Sequence, residues 1–78
     1  MPGGNVRTYR YQITVKGVLG EIAREAFSDF RIEPNGMNTT LIGDLDQAGL
    51  HGALNRVLSL GFELIELYRL HRPSPSRP

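Results

Sequence analysis

The spacing of apolar residues switches several times along this 78-residue chain, and the order of these switches is what most constrains its fold. From Thr8 to Lys16 apolar and polar residues alternate strictly, which indicates a strand with one buried face. Gly17 ends that pattern, and an i, i+3, i+4 spacing then predicts a first helix over about residues 19–29. The apolar side of this helix consists of Leu19, Ile22, Ala23, Ala26 and Phe27.

Two further strands are predicted around the dipeptide Asn35-Gly36, which favours a two-residue type I′ hairpin turn with positive φ at both positions. The flanking segments are residues 30–34 and 37–43. Counting outward from this turn predicts three cross-strand pairs: Pro34 with Met37, Ile32 with Thr39, and Phe30 with Leu41. Pro34 cannot donate a ladder hydrogen bond, so its strand is expected at an edge of the sheet.

A second helix is expected to begin after Asp46, which is a good N-cap residue, and to end at Leu60 before a glycine. Its apolar side consists of Leu50, Ala53, Leu54, Val57 and Leu58. The last segment, residues 62–70, is strand-like but does not alternate cleanly. If its even-numbered residues face the core, Glu66 lies among apolar neighbours, whereas a bulge near Ile65 releases Glu66 to solvent.

The order strand, helix, strand, strand, helix, strand predicts an α+β fold of the ferredoxin-like βαββαβ class. In this fold two helices cover one face of a four-stranded antiparallel sheet, and right-handed crossovers place the first and third strands in the middle. We expect one such domain over residues 7–70. It would lie between a disordered N-terminus over residues 1–6 and a disordered Pro/Ser/Arg tail over residues 71–78.

The size of the chain favours self-association. There is no cysteine, so neither disulfides nor thiolate zinc sites can add stability, and a chain this small is usually marginal alone. We therefore expect a homo-oligomer, with a dimer as the simplest form. Its interface is expected on the open sheet face, opposite the helices, where alternation places an apolar strip formed by Ile42, Ile65 and Leu67.

The composition also excludes several classes of partner. Nine basic residues against eight acidic ones give a formal charge of +1, which is not the footprint of a nucleic-acid binder. The open sheet face is expected to carry no aromatic residue on which a base could stack. No apolar run approaches the roughly 20 residues of a membrane span, and the N-terminus lacks an apolar signal-peptide region. A cytoplasmic protein without a nucleic-acid or membrane partner is therefore expected.

A small glycine loop, Lys16-Gly17-Val18 with Gly20, is the first place that could carry a ligand. It joins the first strand to the first helix, and backbone amides at the start of a helix attract anions. These residues are therefore a candidate site for a small anionic ligand. The alternative is that the glycines only allow a tight turn.

A catalytic alternative depends on Glu66. In the even-numbered register its carboxylate would share one pocket between helices and sheet with three phenols, those of Tyr68, Tyr9 and Tyr11. Such a group would suit a small dimeric enzyme of the isomerase or cyclase kind. The histidines, His51 and His71, are twenty residues apart and have no ligand partner in the spacing, so no metal or cofactor is expected.

The segment from Val18 to Ala23, Val-Leu-Gly-Glu-Ile-Ala, resembles the strand-to-helix junction of ACT domains, which are small ligand-sensing modules of the same topology. The resemblance covers residues 8–70 in topology and six residues in motif. It implies a ligand at the junction loop and pairing of subunits through sheet edges. The favoured function is a non-enzymatic oligomeric module that binds a small ligand or a partner protein, and the enzyme is the alternative.

Overall fold

The computed structural model describes residues 7–70, which form four strands and two helices in the expected order. The elements are β1 (Tyr9–Val15), α1 (Glu21–Ala26), β2 (Arg31–Asn35), β3 (Asn38–Leu45), α2 (Gln47–Ser59) and β4 (Leu64–Leu70). The predictions of disorder for residues 1–6 and 71–78 concern segments outside the described residues, and so does His71.

The four strands form one antiparallel sheet in the order β2-β3-β1-β4. As expected from the crossovers, β1 and β3 are the central strands. As expected from Pro34, β2 is an edge strand, and β4 forms the other edge. The chain is therefore an α+β protein with a four-stranded antiparallel sheet and two helices.

The core is centred on the two middle strands. Ile13 and Leu41 are direct partners across β1 and β3, and both side chains are completely buried. The whole buried cluster consists of Ile13, Val15, Leu19, Ala23, Phe27, Phe30, Leu41, Ala53 and Val57. Both helices contribute to it, but within residues 7–70 no side chain of β4 does.

Arg56 joins the two helices at one side of this core. Its guanidinium lies 5.2 and 5.5 Å from the ring centroids of Phe27 and Phe30, which pack edge to face at 5.8 Å. It also donates a 2.6 Å hydrogen bond to the carbonyl of Ala26, near the end of α1. This contact attaches α2 to the short helix α1.

The first helix is shorter than expected, six residues instead of about eleven, and one of its predicted core positions is wrong. Ile22 is 81% exposed, because Leu19 precedes the helix and only the side that carries Ala23 turns to the core. In α2, Ala53 and Val57 form the buried line, so the predicted burial of Leu58, one residue further around the helix, is also wrong.

The ends of α2 follow the sequence. The Asp46 carboxylate accepts a 2.6 Å hydrogen bond from the Gly49 backbone N–H, which satisfies a donor at the helix start. Leu60 is the C-cap residue, and Gly61 then adopts φ +84°. The predicted cap residue and helix end are both confirmed.

The hairpin between β2 and β3 has the expected length but a different register. Its turn is Gly36-Met37, closed by the pair Asn35 and Asn38. The three predicted pairs are therefore displaced by two residues: Pro34 is opposite Thr39, and Ile32 is opposite Leu41. Because a shift of two residues preserves the side-chain alternation, Ile32 and Leu41 still share the core face.

The turn type differs for the same reason. Gly36 has φ +63°, but no residue other than glycine has positive φ within residues 7–70. Positive φ at the first turn position alone is the pattern of a type II′ turn, in which glycine is required only there. The predicted positive φ at Asn35 is wrong.

A bulge decides which way the side chains of β4 point. Glu66 is opposite Thr14, and the next pair is Leu64 with Val15, so Ile65 is an additional residue on β4. Leu67 is opposite the buried Ile13 and therefore lies on the helix face, whereas Glu66 and Tyr68 lie on the open face. The bulge alternative for Glu66 is confirmed, and the predicted apolar strip on the open face is wrong.

The open face carries polar pairs instead of that strip. Arg10 and Asp44 are direct partners and form a salt bridge with an N···O distance of 3.0 Å. Beside them the hydroxyls of Thr14 and Thr40 are 3.2 Å apart. Tyr68 is an aromatic residue on this face, contrary to expectation, but it lies on the edge strand.

We predict opposite effects for alanine at two glycines. Gly36→Ala should reduce the free energy of unfolding by roughly 1–2 kcal/mol, because an L-residue at positive φ is strained. Gly52→Ala lies within α2, where a Cβ meets nothing within 4 Å, and should raise it by roughly 0.5–1 kcal/mol. Urea denaturation measures both values, and equal effects would contradict the turn geometry.

Candidate functional site

In the glycine loop between β1 and α1, backbone groups of Lys16 and Gly17 are already hydrogen-bonded to other parts of the protein. The Gly17 backbone N–H donates to Asn38 Oδ1 at 3.2 Å, and the Gly17 carbonyl accepts from Thr39 Oγ1 at 2.7 Å. The Lys16 N–H donates to the Glu63 carbonyl at 2.9 Å. Gly17 adopts φ +96°, as the tight-turn alternative requires.

The other two residues of the predicted ligand site, Val18 and Gly20, do not form a pocket with Lys16 and Gly17. Val18 and Gly20 are exposed, and Gly20 is the N-cap of the six-residue helix α1, without a side-chain capping bond. This geometry favours a structural role for the loop as the connection that ties β1 to β3.

The residues of the catalytic alternative are separated by the sheet. The Tyr68 hydroxyl lies 3.5 Å from Glu66 Oε2 on the open face. Tyr11 is opposite Arg69, and by alternation with the buried Ile13 it lies on the helix face. The predicted pocket that joins Glu66, Tyr68 and Tyr11 is therefore not formed.

The predicted interface residues are also divided. Ile42 stands alone on the open face, opposite Gln12 and Arg31. Leu67 lies on the other face, and Ile65 lies at the bulge. What remains of the interface prediction is the exposure of Ile65 and Leu67 on the edge strand.

The bulge brings together a group that sequence reasoning missed. On the helix face, at the end of the sheet near the start of α2, lies a cleft of about 480 Å³. Its lining residues are Arg7, Tyr9, Tyr11, Asp46, Gln47, Ala48 and Arg69.

Two arginines of this cleft contact the same tyrosine. The Arg69 guanidinium lies 4.3 Å from the centroid of the Tyr9 ring, a distance at which a cation is attracted by the ring face. Arg7 donates a 3.5 Å hydrogen bond to the Tyr9 hydroxyl. This bond is the main reason that the pKa of the Tyr9 phenol is lowered. Burial opposes it, and the positive charges of Arg7 and Arg69 lower the pKa further by smaller amounts.

The one sequence signal for this cleft was the alternation that places Tyr9 and Tyr11 on the buried face of β1. That signal did not include Arg69, because an unbroken alternation of the last strand assigns Arg69 to the open face. The start of α2 joins the cleft because Leu45, just before the cap residue Asp46, is the partner of Tyr9.

Other site classes find little support in the part of the chain that the structure describes. No three His, Cys, Asp or Glu residues in it are grouped so that they could hold a metal ion. His51 is exposed on α2, as expected. None of the helices described here is long and apolar enough to cross a membrane.

Comparison with known proteins adds a family without a known activity. The model of a family described as a domain of unknown function, DUF8691, matches residues 10–68, from β1 into β4. No curated protein and no solved structure matches the chain.

We predict that Arg7→Gln raises the pKa of the Tyr9 phenol, because the variant removes a hydrogen bond and a positive charge that favour the phenolate. An NMR pH titration of the tyrosine ring carbons measures this shift. The control is Lys16→Gln, which removes the same charge at the glycine loop and should leave the titration of Tyr9 unchanged. An identical titration in wild type and Arg7→Gln would contradict the contact.

Proposed function

The chain belongs to the DUF8691 family, and we propose that it is a non-enzymatic assembly module that pairs with a second copy of itself through the edge of β4. The observation that carries this proposal is the position of β4. Within residues 7–70 neither edge strand has a residue in the buried cluster, but Ile32 of β2 packs against that cluster and no residue of β4 does. Six of the seven residues of β4 are exposed. A chain of 78 residues gains stability by covering such a strand.

The two sheet edges differ in their capacity to pair. In β2, Pro34 cannot donate a ladder hydrogen bond, and Arg31 and Glu33 form a 2.7 Å salt bridge along the strand. Proline and charged side chains are the devices that protect edges from pairing. β4 has no proline, and its backbone groups on the outer side have no strand partner among residues 7–70. β4 carries a bulge at Ile65 and the charged residues Glu66 and Arg69, but it lacks a proline, so it is the less protected edge and the one that favours association.

The side chains of β4 add an apolar surface to that edge. Leu64 and Leu67 are each 39% exposed, and Ile65 is 42% exposed. The loop before the strand supplies Phe62, which lines a groove of about 580 Å³ together with the exposed Ile22. Covering contiguous apolar surface is the main favourable contribution to association of such modules.

An antiparallel pairing of two β4 strands centred on Leu67 suits the charges of the strand. Leu67 then meets its own copy, Glu66 faces Tyr68 of the second copy, and Ile65 faces Arg69. No like charges are opposed, and the Tyr68 hydroxyl can donate to the Glu66 carboxylate across the pair. A shift that centres the pairing on Glu66 would place two carboxylates opposite each other, which is unfavourable.

We also infer that the fold is ferredoxin-like, which is supported by the order β2-β3-β1-β4 with both helices in one core. The resemblance to ACT domains agrees with pairing through a sheet edge and remains part of this proposal. Its ligand at the junction loop has weaker support, because the Gly17 amide is already bonded to Asn38. The enzyme alternative loses its basis with the separation of Glu66 from Tyr11.

We predict that Leu67→Lys abolishes self-association, because a lysine on an edge strand opposes pairing with a second strand. Light scattering after size-exclusion chromatography should give a dimer mass for wild type and a monomer mass for the variant. The matched control is Met37→Lys, which adds the same charge at the exposed hairpin turn by the opposite edge. It should remain dimeric.

A wild-type chain that stays monomeric up to millimolar concentration would contradict the proposal. It would also leave the β4 edge available for a different protein chain. Thermal unfolding of both variants checks that they are folded. The unfolding midpoints of wild type and Met37→Lys should rise with protein concentration, and the midpoint of Leu67→Lys should not.

We predict that Leu67→Cys forms an intermolecular disulfide in dilute solution. In the register centred on residue 67 the two Cα atoms are roughly 4.5–5.5 Å apart, which is within the range that a disulfide spans. The chain has no native cysteine, so the new thiol is the sole one. Non-reducing electrophoresis after mild oxidation measures the yield, and Met37→Cys is the control. Equal yields from both variants would contradict this register.

A further inference from the structure

We propose that the cleft formed by Arg7, Tyr9, Tyr11 and Arg69 binds a small anion that carries a carboxylate or phosphate group. This inference goes beyond the assembly function and does not rest on it. The cleft lies on the helix face at one end of the sheet, and the proposed pairing uses the outer edge of β4.

Within residues 7–70 no carboxylate pairs with the arginines of the cleft. Of the four other arginines in residues 7–70, Arg10, Arg31 and Arg56 each form a salt bridge with a carboxylate, and Arg24 on α1 forms none. Neither Arg7 nor Arg69 forms an ion pair with any carboxylate of residues 7–70. Two unpaired guanidinium groups in one cleft therefore favour an anion from outside.

The one carboxylate in the lining does not fill that role. Asp46 Oδ1 accepts the Gly49 backbone N–H at 2.6 Å, which holds the carboxylate at the start of α2. Its capping bond is needed by the helix. The lining thus has two positive side chains and one committed negative side chain.

The Tyr9 ring keeps both arginines in place for a shared ligand. Arg69 lies over the ring face, and a guanidinium that is stacked in this way keeps its N–H groups free to donate in its own plane. Arg7 uses one nitrogen on the Tyr9 hydroxyl and has further donors. Two like charges on one ring repel each other, and an anion between them removes that repulsion while it accepts charge-assisted hydrogen bonds.

The dimensions of the cleft suit a small molecule. About 480 Å³ lies within the roughly 300–1,000 Å³ range of small-molecule sites. Tyr11 adds a second phenol, which can donate to an anion, and Gln47 and Ala48 of the first turn of α2 line the opposite wall. The site is open on the solvent side, so its ligand is expected to exchange freely.

The test is a pair of NMR titrations of the full chain at constant ionic strength, one with inorganic phosphate and one with succinate as the carboxylate probe. Either anion should shift the backbone amides of Gln47 and Ala48 and the Arg69 side-chain N–H with a saturable dependence on concentration. Saturation by phosphate alone assigns a phosphate group, and saturation by succinate alone assigns a carboxylate. Absence of saturable shifts with both probes would overturn the proposal.

Two variants and one control separate a specific site from general charge. Arg69→Gln and Arg7→Gln should each raise the Kd of the bound probe by about tenfold, the loss expected for one hydrogen bond to a charged group. Arg7 precedes β1, so its substitution does not alter the sheet. Arg24→Gln removes the same charge on the exposed side of α1 and should change the Kd by less than about twofold. Equal weakening by all three variants would overturn the site.

The titrations are repeated with Leu67→Lys, which should prevent pairing through β4 and leaves every residue that lines the cleft unchanged. Saturable binding by that variant shows that the anion site exists whether or not the chain self-associates. Loss of binding in Leu67→Lys, with its spectrum otherwise unchanged, would overturn the claim that the cleft of one chain is sufficient.

Discussion

The contact between Ile13 and Leu41 is the constraint on which the other features of this structure depend. Both side chains are fully buried where β1 and β3 pair, and α1 and α2 bring their buried residues into the same cluster. A domain of this size has apolar side chains for one core, and it is centred on the middle strands. As a consequence, the edge strand β4 is hydrogen-bonded to β1 but contributes no side chain to that cluster within residues 7–70.

One additional residue in β4 determines which side chains of this edge strand lie on each face of the sheet. With Ile65 at the bulge, Leu67 and Arg69 turn to the helix face, and Glu66 and Tyr68 turn to the open face. The carboxylate is thereby released from apolar surroundings, where an unpaired charge would cost several kcal/mol. The same bulge separates the Glu66 carboxylate from Tyr11 and places the Arg69 guanidinium over the ring of Tyr9. A single inserted residue thus separates the residues of the catalytic alternative and assembles the cleft for which we propose anion binding.

The two proposed surfaces share a strand but use different groups of it. Association uses the backbone edge and the apolar side chains that flank the bulge, whereas the cleft uses the guanidinium of Arg69 and residues of β1 and α2. In the pairing centred on Leu67, Ile65 of the second copy lies opposite Arg69. An apolar neighbour there reduces the access of water to the cation, which strengthens its attraction to an anion. The two proposed functions are therefore compatible, because they depend on different groups of β4.

The sequence by itself determined the kind and order of the elements, the edge position of β2, the cap at Asp46 and most of the core. These follow from periodicity and from local chemistry, such as the missing N–H of Pro34, and neither needs knowledge of distant residues. Only the tertiary structure decided the hairpin register, the exposure of Ile22 and the faces of β4. The cleft depended on the faces of β4, because a bulge is defined by the pairing of β4 with β1, whose residues are about fifty or more positions apart in the sequence. The bulge reverses the face of every later side chain of the strand.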